Sequence, residues 1–253
     1  MITITHENKT AVVTLAHGKV NAISHGLITA LRDTFLSLTQ DENIDGVILT
    51  GPTGAFSAGL DVMEQAAFTV EEATAFWVTY FEALQAMVRY PKPFVCAITG
   101  FAPAGATILT LCADYRIMAE GPKHVIGMHE FSLSMQVPEM MLDIWAYTLG
   151  EAKAYQSLQT AKLFHAQEAQ KENIVQQTAP PEEVLERAKK HLSVLMRVHP
   201  VVFQESKRLA RKNLLAIVDR DVNSMANEFV QFTNQPELKA MVAAFAQRLS
   251  SKK

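Results

Sequence analysis

The chain opens with two segments, Ile2 to His6 and Thr10 to Leu15, in which apolar and polar residues alternate around Glu7, Asn8 and Lys9. That period predicts a β-hairpin. Ser24 then precedes a stretch to about Gln40 in which Leu27, Ile28, Leu31, Phe35 and Leu38 recur at helical spacing, with the serine placed to cap it. The run GVILT (46–50) reads as a short buried strand, and Gly51 to Gly54 as a turn. A loop, AFSAGLDV (55–62), combines small residues with a helix-start signal at Asp61. A long helix is predicted from Thr69 to Arg89, its apolar face carrying Phe76, Trp77, Tyr80, Phe81, Leu84 and Met87, and Pro91 and Pro93 end it.

Phe94 to Ile98 is an extended apolar run that feeds the small-residue stretch TGFAPAGATILTLCAD (99–114). Pro103 and Gly105 mark a tight turn, and Ile108, Leu109, Leu111 and Cys112 follow at helical spacing. A strand, turn and helix start in that order aim unpaired backbone N–H groups at one spot, where developing negative charge is favoured. The same residues also suit an ordinary glycine turn in the core. Strands are predicted at Tyr115 to Ala119 and Val125 to Gly127, and helices at Pro138 to Leu149 and Glu151 to Gln159. A short helix from Ala166, a strand at Asn173 to Thr178 and a helix at Glu182 to Val198 follow. Beyond Val198 the pattern is helical only: Pro200 to Asp219, Val222 to Gln231 and Pro236 to Leu249. We therefore divide the chain into a strand-and-helix body, 1–198, and a helical region, 199–253, which either associates with other subunits or closes over its own body.

Composition narrows the function classes. A chain of 253 residues with a net charge of −3 has no field that would draw in nucleic acid or an anionic membrane, which points to a small-molecule partner. Cys96 and Cys112 lie in apolar runs at a spacing that fits neither a metal site nor a disulfide pattern, so they read as reduced core thiols. The start, MITITHENKT, lacks the charge and apolar run of a signal peptide, and no apolar stretch approaches the roughly 20 residues of a membrane span. The expectation is a soluble cytoplasmic protein with no metal and no membrane partner.

Three motifs fall in a recognisable order: AFSAGLD (55–61), ITGFAPAGATILTLCADYRI (98–117) and IGMHEFSLSMQVP (126–138). Over essentially its whole length the chain resembles the crotonase, or enoyl-CoA hydratase and isomerase, superfamily. Within it, the SAGLD loop, the PAG turn and the acidic residue after IG are most similar to the Δ3,Δ2-enoyl-CoA isomerases. The resemblance implies an α/β fold, a crotonase-like spiral of repeated ββα units with a C-terminal helical region used in trimer formation. It also implies a coenzyme A thioester bound between the first two motifs, with coenzyme A belonging to the substrate and no separate cofactor. The backbone N–H groups of Leu60 and Gly105 would hold the thioester oxygen, flanked by the small residues Ala58, Gly59, Ala104 and Ala106. Lys19, Val20, Ala22, Ala58, Asp61 and Val62 match segments bordering the adenine of coenzyme A. Arg248, Lys252 and Lys253 are weaker candidates for a neighbouring subunit's ligand.

Hydratases of the superfamily use two glutamates to activate water. Matched by position, the first falls on Ile108 and the second on Glu130, so one carboxylate remains. A single acid/base suffices to move a proton from C2 to C4 of a 3-enoyl thioester. This favours an acyl-CoA isomerase forming the 2-enoyl isomer through an oxyanion-stabilised dienolate. The alternatives are an enoyl-CoA hydratase or another crotonase-type lyase or hydrolase, with Glu139, Asp143 or His129 as a further group, and a non-catalytic acyl-CoA-binding subunit. Read without the resemblance, Glu130 is an exposed carboxylate at a strand end. His129, its neighbour on that strand, is expected to face solvent. Met128, Met135, Met140 and Met141 suit either an acyl pocket or core packing, as do Phe76, Trp77, Tyr80 and Phe81. The expected assembly is a homotrimer or a dimer of trimers.

Overall fold

A computed structural model describes residues 1–251. β1 (Ile2–Glu7) and β2 (Thr10–Leu15) form the antiparallel hairpin, closed by Asn8 and Lys9 at φ of 45° and 64°, the pairing of positive angles that matches strand twist. α1 (His25–Gln40) follows, its first turn capped by the Ser24 hydroxyl, which accepts from Leu27 N–H. β3 (Gly46–Thr50) and β4 (Gly54–Ala55) lead to α2 (Val62–Ala67) and α3 (Val70–Arg89). Thr69 and Glu72 close a capping box at the start of α3. β5 (Phe94–Ile98) and β6 (Gly100–Pro103) lead to α4 (Gly105–Leu111). β7 (Tyr115–Ala119) and β8 (Val125–Gly127) lead to a short 3-10 helix, Glu130–Leu133, and to α5 (Glu139–Leu149).

The strand pairs β3/β4, β5/β6 and β7/β8 each step from one sheet to another before a helical segment, and this is the repeated ββα turn. α6 (Glu151–Gln159), β9 (Phe164–His165), α7 (Ala166–Lys171), β10 (Gln177–Ala179) and α8 (Val184–Leu195) complete the body. The larger sheet has the order β1-β2-β3-β5-β7-β10, parallel from β2 onward, and the smaller has the order β4-β6-β8-β9. Successive turns stack closely where they change sheet: a Cβ on Gly100 would lie 2.2 Å from the Gly54 carbonyl, so only glycine fits.

Period two assigns the two faces of the large sheet. Val12, Ile48, Val95, Ala97, Ile117 and Ala119 pack under Val184, Ala188 and Leu192 of α8. Their sequence neighbours, including Val13, Val47, Leu49, Phe94, Cys96 and Met118, face the main core with α1 and α3. Central strands buried on both faces explain why GVILT and FVCAI read as unbroken apolar runs.

α9 (Pro200–Ala210), α10 (Lys212–Val218), α11 (Val222–Thr233) and α12 (Pro236–Ser250) form the C-terminal region. The single helix predicted for Pro200 to Asp219 is two, broken at Arg211. The Arg211 guanidinium is drawn inward to the Asp114 carboxylate (2.9 Å) and the Cys112 carbonyl (2.7 Å). Asp114 also accepts from Lys207 (2.8 Å) and Phe94 N–H (2.9 Å), so one half-buried carboxylate ties this region to β5 and to the end of α4. The strand predicted for Asn173 to Thr178 is confined to Gln177–Ala179, because Ile174 and Val175 instead close α7, both donating to the Ala169 carbonyl.

The C-terminal region closes over its own body. Leu214, Val218, Val222, Ala226 and Val230 belong to the main core. α11 packs on α3, where Phe229 meets Trp77 edge to face at 4.7 Å, and α12 packs on α2. It also keeps apolar residues outward: Val201, Val202 and Leu209 are 67%, 56% and 53% exposed. No helix among the described residues is long and apolar enough to cross a membrane.

Candidate active site

The loop at 55–62 is shaped by the segment after β2. Asn21 is fully buried at φ 47°; its side chain accepts from His17 N–H (2.7 Å) and donates to the Phe56 carbonyl (3.0 Å), while Ser57 Oγ donates to the Asn21 carbonyl (2.6 Å). The two segments then run side by side, with Ala58 N–H on the Val20 carbonyl (2.8 Å), Ile23 N–H on that of Gly59 (2.8 Å) and Asp61 N–H on that of Ile23 (3.1 Å). Gly59 N–H is taken by Ser57 Oγ (3.2 Å). In such a parallel bridge the Leu60 N–H points away from the partner strand, and among the described residues it has no acceptor.

The second turn starts where β6 ends. Ala104 N–H donates to the Gly127 carbonyl (2.8 Å), and Ala104 adopts φ 55° and ψ −129°. A residue with a Cβ is strained there by about 1–3 kcal/mol, and such strain gathers at functional sites. Gly105 opens α4 with an N–H that also lacks an acceptor among the described residues. The two loops touch at this point. A Cβ on Gly59 would lie 3.0 Å from the Pro103 carbonyl and 3.9 Å from Gly105 N, and one on Gly105 would lie 3.3 Å from Leu60 Cδ2. Two distant stretches of chain therefore bring together two free donors, both of them backbone N–H groups.

Glu130 occupies the first position of the 3-10 helix rather than a strand end, and it is 8% exposed instead of solvated. Among the described residues it is the one buried carboxylate, and its Oε2 has no partner. Burial pushes its pKa up to about 7, opposed in part by the backbone N–H groups of Glu130 and His129. His129 is half-buried, and its Nδ1 is sealed without a partner, so the expectation that it faces solvent is corrected. The reason is geometric: the chain leaves β8 before His129, so adjacent side chains no longer alternate across a strand. Burial lowers the imidazole pKa, since it penalises the charged ring.

Other candidates separate by environment. Ile108 is fully buried in α4 among core side chains. Glu139 and Asp143 both pair with Arg220, at 3.0 Å for Glu139. Asp61 uses its carboxylate to cap α2, accepting from Met63 and Glu64 N–H (3.1 and 3.2 Å). The bridge described above sets Lys19, Val20 and Ala22 beside Ala58, Asp61 and Val62, with Lys19 and Val20 exposed and the other four half-buried. Met128, Met140 and Met141 are core residues, and Met135 is half-buried. Arg248 is exposed over the Phe245 ring; Lys252 and Lys253 lie outside the described residues. Sequence reasoning offered Tyr80 only as an acyl-pocket wall or core residue, yet its buried hydroxyl donates to the Gly105 carbonyl at 2.8 Å. The available signal was a lone hydroxyl on an otherwise apolar aromatic face, since a buried tyrosine O–H needs a partner.

Comparison with known proteins identifies the family and the fold. The family model described as "Enoyl-CoA hydratase/isomerase" matches residues 5–252. The mouse protein named "Enoyl-CoA delta isomerase 1, mitochondrial" is 30% identical over 248 residues, covering 96% of this chain and 84% of the relative. The crystal structure of human mitochondrial delta3-delta2-enoyl-CoA isomerase superposes with a TM-score of 0.94 at 28% identity, covering 100% of this chain and 99% of the other. A crotonyl-CoA hydratase of Syntrophomonas wolfei is 26% identical, over 98% of this chain and 95% of the relative.

Proposed function

Since the chain belongs to the enoyl-CoA hydratase/isomerase family, we propose that it is an acyl-CoA isomerase that moves a double bond from the 3- to the 2-position of an enoyl-CoA. The observation that carries this reading is Glu130, the one buried carboxylate among the described residues, with a free Oε2 and a pKa near 7. The thioester oxygen accepts from the N–H groups of Leu60 and Gly105. Glu130 takes a proton from C2, the negative charge spreads to the oxygen as a dienolate, and Glu130 returns the proton at C4. Donors fixed in advance stabilise that charge without reorganising, an effect worth roughly 3–4 kcal/mol of barrier per donor. A carboxyl with a pKa near neutrality serves both transfers, because neither protonation state is far out of reach.

Water addition lacks a second acid. Ile108 occupies the position where the hydratases of the family carry the other glutamate, and Glu139 and Asp143 are held by Arg220. The coenzyme A moiety lies along the paired segments 19–22 and 58–62, with Lys19 free to meet a phosphate. The exposed Val201, Val202 and Leu209 of α9 suit a contact with further copies in a trimer or a dimer of trimers. Incubation of the purified protein with a 3-enoyl-CoA tests the reading. Conjugated 2-enoyl-CoA should accumulate and Glu130→Gln should abolish it, whereas undiminished turnover in that variant overturns the assignment.

A further inference from the structure

The hydroxyl of Tyr80 stands where the two donor loops meet. Tyr80 is fully buried on α3, its ring fixed by Phe76, Trp77 and Phe81 at centroid distances of 6.0, 5.5 and 6.4 Å. The O–H donates to the Gly105 carbonyl at 2.8 Å. A Cβ on Gly105 would lie 3.0 Å from this oxygen and 3.3 Å from Leu60 Cδ2, so the phenol and the leucine both border Gly105. In a regular helix the carbonyl of the first residue is already served by an N–H four residues on, so the bond from Tyr80 is an added restraint. It acts on the residue whose N–H is free, just after the strained Ala104. Burial, with Cys112 and Glu130 nearby, holds the phenol pKa well above its ordinary value, which keeps it a neutral donor.

We propose that Tyr80 is a positioning residue: by tethering the Gly105 carbonyl to the rigid aromatic face of α3, it aims the Gly105 N–H alongside that of Leu60 at the substrate oxygen. The inference rests on the acyl-CoA reading of the site, because the oxygen it serves is the thioester's. It makes no demand on which reaction follows. It also accounts for glycine at 105 by contact with a hydroxyl rather than by turn geometry, since Gly105 does not adopt a positive φ.

Tyr80→Phe keeps the ring and removes only the donor. Misaiming one preset donor should lower kcat for 3-enoyl-CoA isomerisation by about 10- to 100-fold and change KM little. Independently of turnover, the carbonyl stretch of a bound acyl-CoA, read by infrared difference spectroscopy, should fall on binding to the wild-type protein and move back toward its free value in Tyr80→Phe. Gly105→Ala adds a methyl against the hydroxyl, so the two substitutions should be non-additive, with Gly105→Ala less damaging in the Tyr80→Phe background. Unchanged kcat and unchanged carbonyl stretch in Tyr80→Phe, or strict additivity, overturns the proposal. If the wild-type protein shifts the carbonyl but performs no isomerisation, the isomerase assignment fails, while loss of the shift in Tyr80→Phe still supports the role of Tyr80. A loss of kcat with normal thioester binding and an unmoved stretch marks Tyr80 as structural only.

Discussion

Replacing Glu130 by glutamine tests the site through stability as well as through turnover. The wild-type carboxyl has a pKa near 7 against 4.5 for the ordinary group, because burial penalises its charge. The folded protein therefore holds this proton more tightly than the unfolded chain. The associated stability is complete below about pH 4.5 and is lost as pH rises through about 7. Glutamine does not titrate, and the other carboxylates titrate alike in both proteins, so their contributions cancel in the difference. Denaturant unfolding of both proteins, at one protein concentration and at several pH values, should show wild type losing about 2.5 kcal/mol relative to Glu130→Gln between pH 5 and pH 8.5. In the proposed mechanism the same ionisation governs the rate in the opposite sense, because the base must be charged to take a proton. kcat/KM should rise with pH and reach half its maximum near pH 7. Stability and rate are then two readings of one pKa. A difference in stability that stays constant over that range, or a rate profile flat across it, refutes the argument that burial tunes Glu130.

Two further substitutions probe the supports of the site. Gly59→Ala places a methyl 3.0 Å from the Pro103 carbonyl at φ 82°; prising the donor loops apart should cost about 100- to 1,000-fold in kcat, and near-normal kcat would show that the Leu60 donor tolerates displacement. Asp114→Asn leaves Lys207 and Arg211, only 7% and 12% exposed, without their shared counter-charge. A loss of about 3–5 kcal/mol is expected by urea unfolding, and a loss below about 1 kcal/mol would mean that the cluster contributes little to docking α9 and α10.

The parts of the fold that rest on local periodicity were legible in the chain. The hairpin, α1, α3 and the doubly buried β3 and β5 follow from apolar spacing, because each buries a face that its own residues define. The short strands β4, β6 and β9 were not. At 2, 4 and 2 residues they are too brief to show a period, and their pairing is set by the stacking of successive turns. Ile174 and Val175 misled for a related reason: β-branched residues suit a strand, but here the end of a helix needed closing.

At the candidate site the division runs between backbone and side chain. Small residues at 58–59 and 104–106 announced where the chain must come close to something, because backbone donors are useful only where no side chain stands in front of them. What they approach is set by contacts far apart in sequence, such as Ile23 with Leu60 and Tyr80 with Gly105. The motif singled out Glu130, but the chemistry proposed for it comes from burial, and burial depends on a 3-10 turn that the residues EFSL do not advertise. The same turn displaced the reading of His129, which assumed a strand continuing past β8. Ile108 carried the most information of any single residue for a similar reason. Once the resemblance matches its position to a hydratase glutamate, an apolar side chain there cannot hold water in any rotamer, whatever surrounds it. A carboxylate acquires its role only from what encloses it, and for Glu130 the enclosure supplies both the free oxygen and the raised pKa on which the proposed single acid/base depends.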